Sequence, residues 1–180
     1  CNQLDQLEQG KQVAQFTRVR LSELLQDVIE KSPTFSGTHT QVERELFVWS
    51  DVMLLQTILF NLVDNAHKYM KSGGMVRLVV TRIQWPNERE ERVMVKVMNP
   101  LDPRSLPDPD RMFEKFYRSA SAQQKSGTGL GLFIVRGLSS LIGASVNAAI
   151  EPGPEMVLTL VLPTELSQLD SSIQVSVDSV

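Results

Sequence analysis

One helix limits what this chain can fold into. Ser50 is a good N-cap. After it, Leu55, Ile58, Leu59, Leu62, Val63, Ala66 and Met70 recur at helical spacing to about Lys71, where Gly73 and Gly74 close the segment. Asn61, Asn65 and Lys68 interrupt this apolar surface at i, i+4 and i+7. At about 100° per residue they fall within roughly 60° of one another, as one polar stripe. Carboxamides in so apolar a helix cost stability unless something binds them. Two readings are open. The asparagines are partly exposed and touch backbone, or they belong to a ligand site. In such a site an Asn oxygen can coordinate Mg²⁺ as a neutral ligand, and a Lys one turn further on can meet phosphate as a point charge.

Shorter elements alternate around this helix. Residues 4–14 read as the end of a polar helix closing at Gly10, followed by a linker with a short extended stretch at 16–19. Leu21, Leu24, Leu25, Val28 and Ile29 mark an amphipathic helix that ends before Pro33. Residues 34–41 form a turn-rich loop, and 42–49 alternate as a half-buried strand. The runs 75–83 and 92–97 read as a hairpin, and a loop with Pro100, Pro103, Pro107 and Pro109 follows. A short helix at 111–118, a small polar loop, a helix at 130–142 and strands at 145–150 and 156–162 complete the pattern. Residues 164–180 hold five serines, three acids and no Lys or Arg, and read as a flexible tail. Alternation of Ile173, Val175 and Val177 leaves an edge strand as the other reading. The order predicts an α/β fold, a two-layer sandwich with helices packed on one face of a mixed, mostly antiparallel sheet.

A chain of 180 residues is one domain with trimmings. Eighteen Lys and Arg against 21 Asp and Glu leave a net charge of −3, which lacks the basic footprint of a nucleic-acid binder, so an anionic ligand needs a local site. The single cysteine, Cys1, can form no internal disulfide and has no fixed surroundings for catalysis. No apolar run reaches the roughly 18 to 20 residues a membrane helix needs. The polar start without Met reads as the interior of a longer protein.

Such a local site has a second part. Gly127-Thr128-Gly129-Leu130-Gly131 holds three of the ten glycines and opens directly into the helix at 130–142. A glycine-rich turn entering a helix lets backbone N–H groups close on phosphate oxygens, and the helix dipole favours the negative charge. No strand precedes it, which excludes a Rossmann fingerprint, and the GK[ST] ending of a Walker loop is absent.

Three segments together point to a family. LLQTILFNLVDNAHKY (54–69) resembles the N box of sensor histidine kinases, FEKFYR (113–118) their F box and GTGLGL (127–132) their G2 box, in the same order and at fitting spacing. Residues 16–163 therefore resemble the ATP-binding catalytic domain of a two-component histidine kinase, with its Bergerat-type fold. Residues 1–15 are similar to the end of the dimerisation and phosphoacceptor hairpin and its linker. The resemblance implies ATP and Mg²⁺ as cofactors, with Asn65 on the metal, Asn61 beside it, Lys68 on a phosphate and Tyr69 lining the nucleotide pocket. The loop from Gly127 through Thr128, Gly129 and Leu130 to Gly131 would wrap the triphosphate. Phe113, Phe116 and Tyr117 would anchor a lid at 119–126, with packing as the main role of the two phenylalanines. Further implications are a histidine phosphotransfer domain of the parent protein and a response-regulator receiver domain as partners, and no nucleic acid. The parent would be a homodimer, a bacterial inner-membrane sensor whose cytoplasmic portion includes this chain.

One box departs from the family pattern. Where an adenine-binding D-x-G-x-G box should begin, the chain reads Asn99-Pro100-Leu101-Asp102-Pro103, without either glycine. Asn99 can still accept from the adenine amino group, as a neutral acceptor weaker than a carboxylate, and Asp102 is the candidate replacement acid. Pro103 offers no N–H, so the loop takes another path. The departure keeps a second functional class open, a degenerate regulatory module that acts through protein contacts. His39, in a loop, and His67, on the N-box helix, read as surface residues rather than phosphoacceptors. The acceptor histidine is expected outside this chain.

Overall fold

The computed structural model describes residues 13–43, 45–86, 89–118, 127–169 and 176–177. The expected polar helix closing at Gly10, the lid at 119–126, and Ile173 and Val175 lie outside these. The described elements are β1 (Gln15–Arg20), α1 (Leu21–Glu30), a 3₁₀ turn at Pro33–Gly37, β2 (His39–Val42), β3 (Phe47–Ser50) and α2 (Val52–Tyr69). They continue with β4 (Arg77–Ile83), β5 (Arg92–Pro100), α3 (Gly131–Leu141), β6 (Ser145–Glu151), β7 (Glu155–Pro163), a 3₁₀ turn at Leu166–Gln168 and β8 (Ser176–Val177).

The main sheet runs β2-β4-β5-β7-β6. β2 joins β4 in parallel, and the other pairs are antiparallel. Register sorts the side chains by face. Val80 stands opposite Val95, Val95 opposite Leu160 and Leu160 opposite Val146, and the first three are buried. The next row, Val79, Lys96, Thr159 and Asn147, stays partly or fully exposed. One face is therefore core, and α2 and α3 pack on each other and on that face. α2 buries Leu54, Leu55, Ile58, Leu59, Leu62, Val63 and Ala66, and so turns its polar stripe toward α3. The expected mixed, mostly antiparallel two-layer sandwich is what the chain adopts, and both hairpins form as the alternation predicts.

Several local expectations give way to tertiary pairing. The extended stretch expected at 16–19 forms as the middle of β1, with Phe16 fully buried, and what the sequence does not show is its pairing in a second sheet of order β3-β1-β8. The single strand expected at 42–49 is two strands in different sheets, split where Glu45 takes φ +60 and Leu46 accepts from Leu21 N. The cap of α2 is Asp51 and not Ser50. The Asp51 carboxylate accepts from Met53 N at 2.9 Å and Leu54 N at 3.0 Å, while Ser50 is buried in β3. The helix also stops earlier, because Lys71 N turns away to Pro100 O. Residues 111–118 form successive turns and no helix, since the backbone at Phe116 takes φ +63 and its N–H donates to Gly129 O.

The expected tail at 164–180 is partly built into the fold. Thr164 Oγ1 and Gln168 Nε2 donate to Glu91 O at 2.7 and 2.8 Å, and Leu166 and Leu169 pack on the core. Ser176 and Val177 pair in parallel with Gln15 and Phe16, so the edge-strand reading holds there.

Candidate functional site

The polar stripe of α2, the glycine-rich entry to α3 and the end of β5 meet at one cavity of about 840 Å³. Every candidate lines it: Asn61, Asn65, Lys68 and Tyr69 from α2, Asn99 and Asp102 at the end of β5, and Gly127, Thr128, Gly129, Leu130 and Gly131 ahead of α3. The lining also holds Lys71, Arg104 and Arg118. With Lys68 these make four cationic residues against two carboxylates, Asp64 and Asp102, so the cavity is locally basic in a chain of net charge −3.

The three stripe residues are held differently. Asn61 Nδ2 donates to Thr57 O at 2.8 Å, one turn back, which leaves its Oδ1 facing the loop. A Cβ on Gly131 would lie 3.0 Å from that oxygen, so a side chain there would press on Asn61. Among the described residues the Asn65 carboxamide makes no hydrogen bond. Lys68 Nζ pairs with Asp64 Oδ2 at 3.2 Å, both side chains being partly exposed. Asp64 was not singled out from the sequence, although an acid four residues ahead of a lysine on a helix is a readable signal.

The glycine loop is tied down where it must be. Gly129 has φ +71, and a Cβ on it would sit 2.9 Å from the backbone of Phe116 and Tyr117, which cannot yield. Phe116 N donates to Gly129 O at 3.0 Å in return, fastening the loop to the FEKFYR segment. Lys68 Nζ and Tyr69 OH come within 3.9 Å of the position of a Gly127 Cβ, so loop and stripe face each other at close range. Phe113 is a core residue, as expected. Phe116 is not: its left-handed backbone turns the ring outward, 62 % exposed. Tyr117 OH accepts from Asp108 N at 2.8 Å and closes the loop beyond β5.

At the far wall, Asn99 stands opposite Met156 in the β5–β7 register and is 1 % exposed. Among the described residues neither its Oδ1 nor its Nδ2 has a hydrogen-bond partner. Leaving such a group unpaired costs about 1–3 kcal/mol, which a ligand's polar edge would relieve. Leu101, in place of a glycine, is buried, and its N–H donates to Pro154 O at 2.9 Å, which shows how the altered loop is accommodated. Asp102 is already engaged: Arg104 donates to it from backbone N, Nε and a terminal nitrogen. Those hydrogen bonds hold the Asp102 carboxyl well below the usual carboxylate range, and the carboxylate raises Arg104 in turn.

The two histidines differ. His39 is exposed, as expected, at the start of β2. His67 is no simple surface residue: its Nε2 lies 2.8 Å from Thr38 Oγ1 and its ring stacks on Phe35. Burial lowers its pKa, and the nearby Asp64 charge opposes this. Among the described residues no three His, Cys, Asp or Glu side chains converge. A hard cation in the cavity would thus take the neutral Asn65 oxygen together with oxygens of its ligand and water.

Helices on one face of a mostly antiparallel sheet, with a basic cavity between a glycine-rich helix entry and an Asn/Lys stripe, define a two-layer α/β domain with one well-formed cavity among the described residues. Residues 50–166 match the family described as histidine kinase-, DNA gyrase B- and HSP90-like ATPase, and the chain belongs to that family. It is 30 % identical over 130 residues to the sensor histidine kinase WalK of Bacillus subtilis (strain 168), a match covering 71 % of this chain and 21 % of WalK. It is 26 % identical over 168 residues to the sensor-like histidine kinase SenX3 of Mycobacterium tuberculosis (strain ATCC 25618 / H37Rv), covering 89 % of this chain and 40 % of SenX3. The chain thus spans well under half the length of these relatives. Its fold is similar to that of full-length ShkA in complex with AMPPNP, with a TM-score of 0.67 and 24 % identity, covering 93 % of this chain and 35 % of ShkA. This is a histidine kinase-like ATPase domain of the kind sensor kinases carry. Among the described residues no helix is long and apolar enough to cross a membrane.

Proposed function

We propose that this chain is the catalytic domain of a two-component sensor histidine kinase. It binds Mg·ATP and passes the γ-phosphoryl group to a histidine on a dimerisation domain outside this chain. The observation that carries the reading is the convergence on one basic cavity of the Asn65–Lys68 stripe, the Gly127–Gly131 loop and the unpaired amide of Asn99. The AMPPNP in the ShkA complex supports it by analogy of fold.

The cavity's residues divide the work. Asn99 Oδ1 accepts from the adenine amino group, and Asp102, held by Arg104, is not needed for that contact. The N–H groups of the Gly127–Gly131 loop and the start of α3 close on the phosphates, with Lys68 as a fixed positive charge opposite. Asn65 would hold Mg²⁺, which offsets charge on the transferring group when bound. Asn61 is an amide and cannot take a proton from water near neutral pH, so the attacking group must bring its own nucleophilicity, as a neutral imidazole does. The domain therefore hydrolyses ATP slowly alone and transfers to histidine readily. The receiver domain of a response regulator then takes the phosphoryl group, within a parent protein that is a homodimeric, membrane-anchored sensor with this domain on the cytoplasmic side.

Calorimetry with Mg·ATP and Mg·ADP tests the binding step, and γ-labelled ATP with an acceptor hairpin supplied in trans tests transfer. Acid-labile label on the hairpin with little free phosphate is expected. Rapid phosphate release by the isolated domain, abolished in Asn61→Ala, would overturn the role given to Asn61. No heat up to millimolar nucleotide would replace the kinase reading with that of a regulatory module, which the glycine-less 99–103 segment would equally suit.

A further inference from the structure

The amide at the far wall does more than replace an acid. A carboxylate at residue 99 would present acceptors only, whereas the Asn99 carboxamide presents an acceptor, Oδ1, and a donor, Nδ2. Both ends are buried and neither is paired among the described residues, so no hydrogen bond there fixes which end lies where. A half-turn of the terminal amide exchanges them within the same shape.

Purine edges differ in the complementary way. Adenine offers a donor at its 6-amino group and an acceptor at N1. Guanine offers an acceptor at O6 and a donor at N1–H. An amide with both ends free matches either edge by choosing its orientation, whereas a carboxylate in the same register can satisfy only the one donor of either edge and meets the acceptor, adenine N1 or guanine O6, with like polarity. The cavity is also adaptable: Met156, opposite Asn99 in the β5–β7 register, and Met70 and Met112 elsewhere in the lining are unbranched thioether side chains that can repack around rings of different outline.

We propose that this cavity accepts guanine nucleotides alongside adenine nucleotides, with the unpinned Asn99 amide reading the 6 and 1 positions of either purine. The inference rests on the nucleotide-binding reading above and extends it from ATP to purine nucleoside triphosphates as a class.

The test is calorimetric titration of the whole chain with Mg·ATP and, separately, Mg·GTP, for the native sequence and for Asn99→Asp and Asn99→Leu. In the native chain the two dissociation constants should lie within about tenfold of each other. Asn99→Asp keeps one acceptor contact and loses the donor contact on either edge, so it should weaken both nucleotides, by about ten- to a hundredfold where the two-point contact is lost. Asn99→Leu removes both contacts without adding charge and should weaken the two nucleotides by similar factors, and it decides the matter if the aspartate variant does not fold. ATP binding in the native chain with GTP more than about a hundredfold weaker would overturn this inference alone. So would affinities for the two nucleotides that change in neither variant. Binding of neither nucleotide would overturn the proposed function with it.

Discussion

At the scale of single residues, the α2 stripe shows how one residue type takes different roles by position. Asn61 spends its donor on Thr57 O, which is the backbone-touching reading of a helical asparagine, while Asn65 spends nothing. Asn65 is therefore the stripe amide with full capacity for a cation. Replacing Asn65 with Ala should remove the Mg²⁺ dependence of nucleotide binding, measured by titration with and without chelator. Its urea midpoint should shift by no more than the equivalent of about 0.5 kcal/mol, because no protein hydrogen bond is lost. Unchanged Mg·ATP affinity would dismiss Asn65 as the metal ligand. The spacing of the stripe was legible because a helix repeats every 3.6 residues whatever surrounds it. The engagement of Asp102 by Arg104 was not, since it depends on the path of a loop whose usual glycines are absent.

At the scale of elements, Asp51 joins two parts of the fold. One carboxylate oxygen caps α2 through Met53 N and Leu54 N, and the other accepts from Gln15 N at 2.9 Å, tying the start of β1 to the helix. Asp51→Ala should therefore lower stability to urea by about 1–2 kcal/mol, and more than Ser50→Ala, whose hydroxyl makes only a 3.4 Å contact with Asp51 O. Equal effects of the two substitutions would return the cap to Ser50. Sequence placed the helix correctly and missed its cap by one residue, because Ser and Asp are both good caps and only the pairing of β3 with β1 commits Ser50 to a strand.

At the scale of the whole molecule, His67 links stability to pH. Burial lowers its pKa below the usual value near 6.5, so the unfolded chain binds a proton more readily than the folded one. Its contribution is complete above the unfolded value and is lost as pH falls toward the folded one. Urea midpoints should accordingly drop on going from about pH 7.5 to about pH 5, and His67→Gln should flatten that part of the slope. A slope identical in the variant would assign the acid sensitivity to other groups. By itself the sequence determined what is periodic or contiguous: the three helices α1, α2 and α3, both hairpins, the order of the three motifs and the residues of the stripe. Tertiary structure decided the rest. It recruited the 16–19 stretch into a second sheet, divided 42–49 between two sheets, turned Phe116 out to solvent and buried the Asn99 amide without a hydrogen-bond partner among the described residues. The physical reason is that strand pairing and burial depend on surfaces distant along the chain, whereas helical period and turn chemistry are written within a few neighbouring residues.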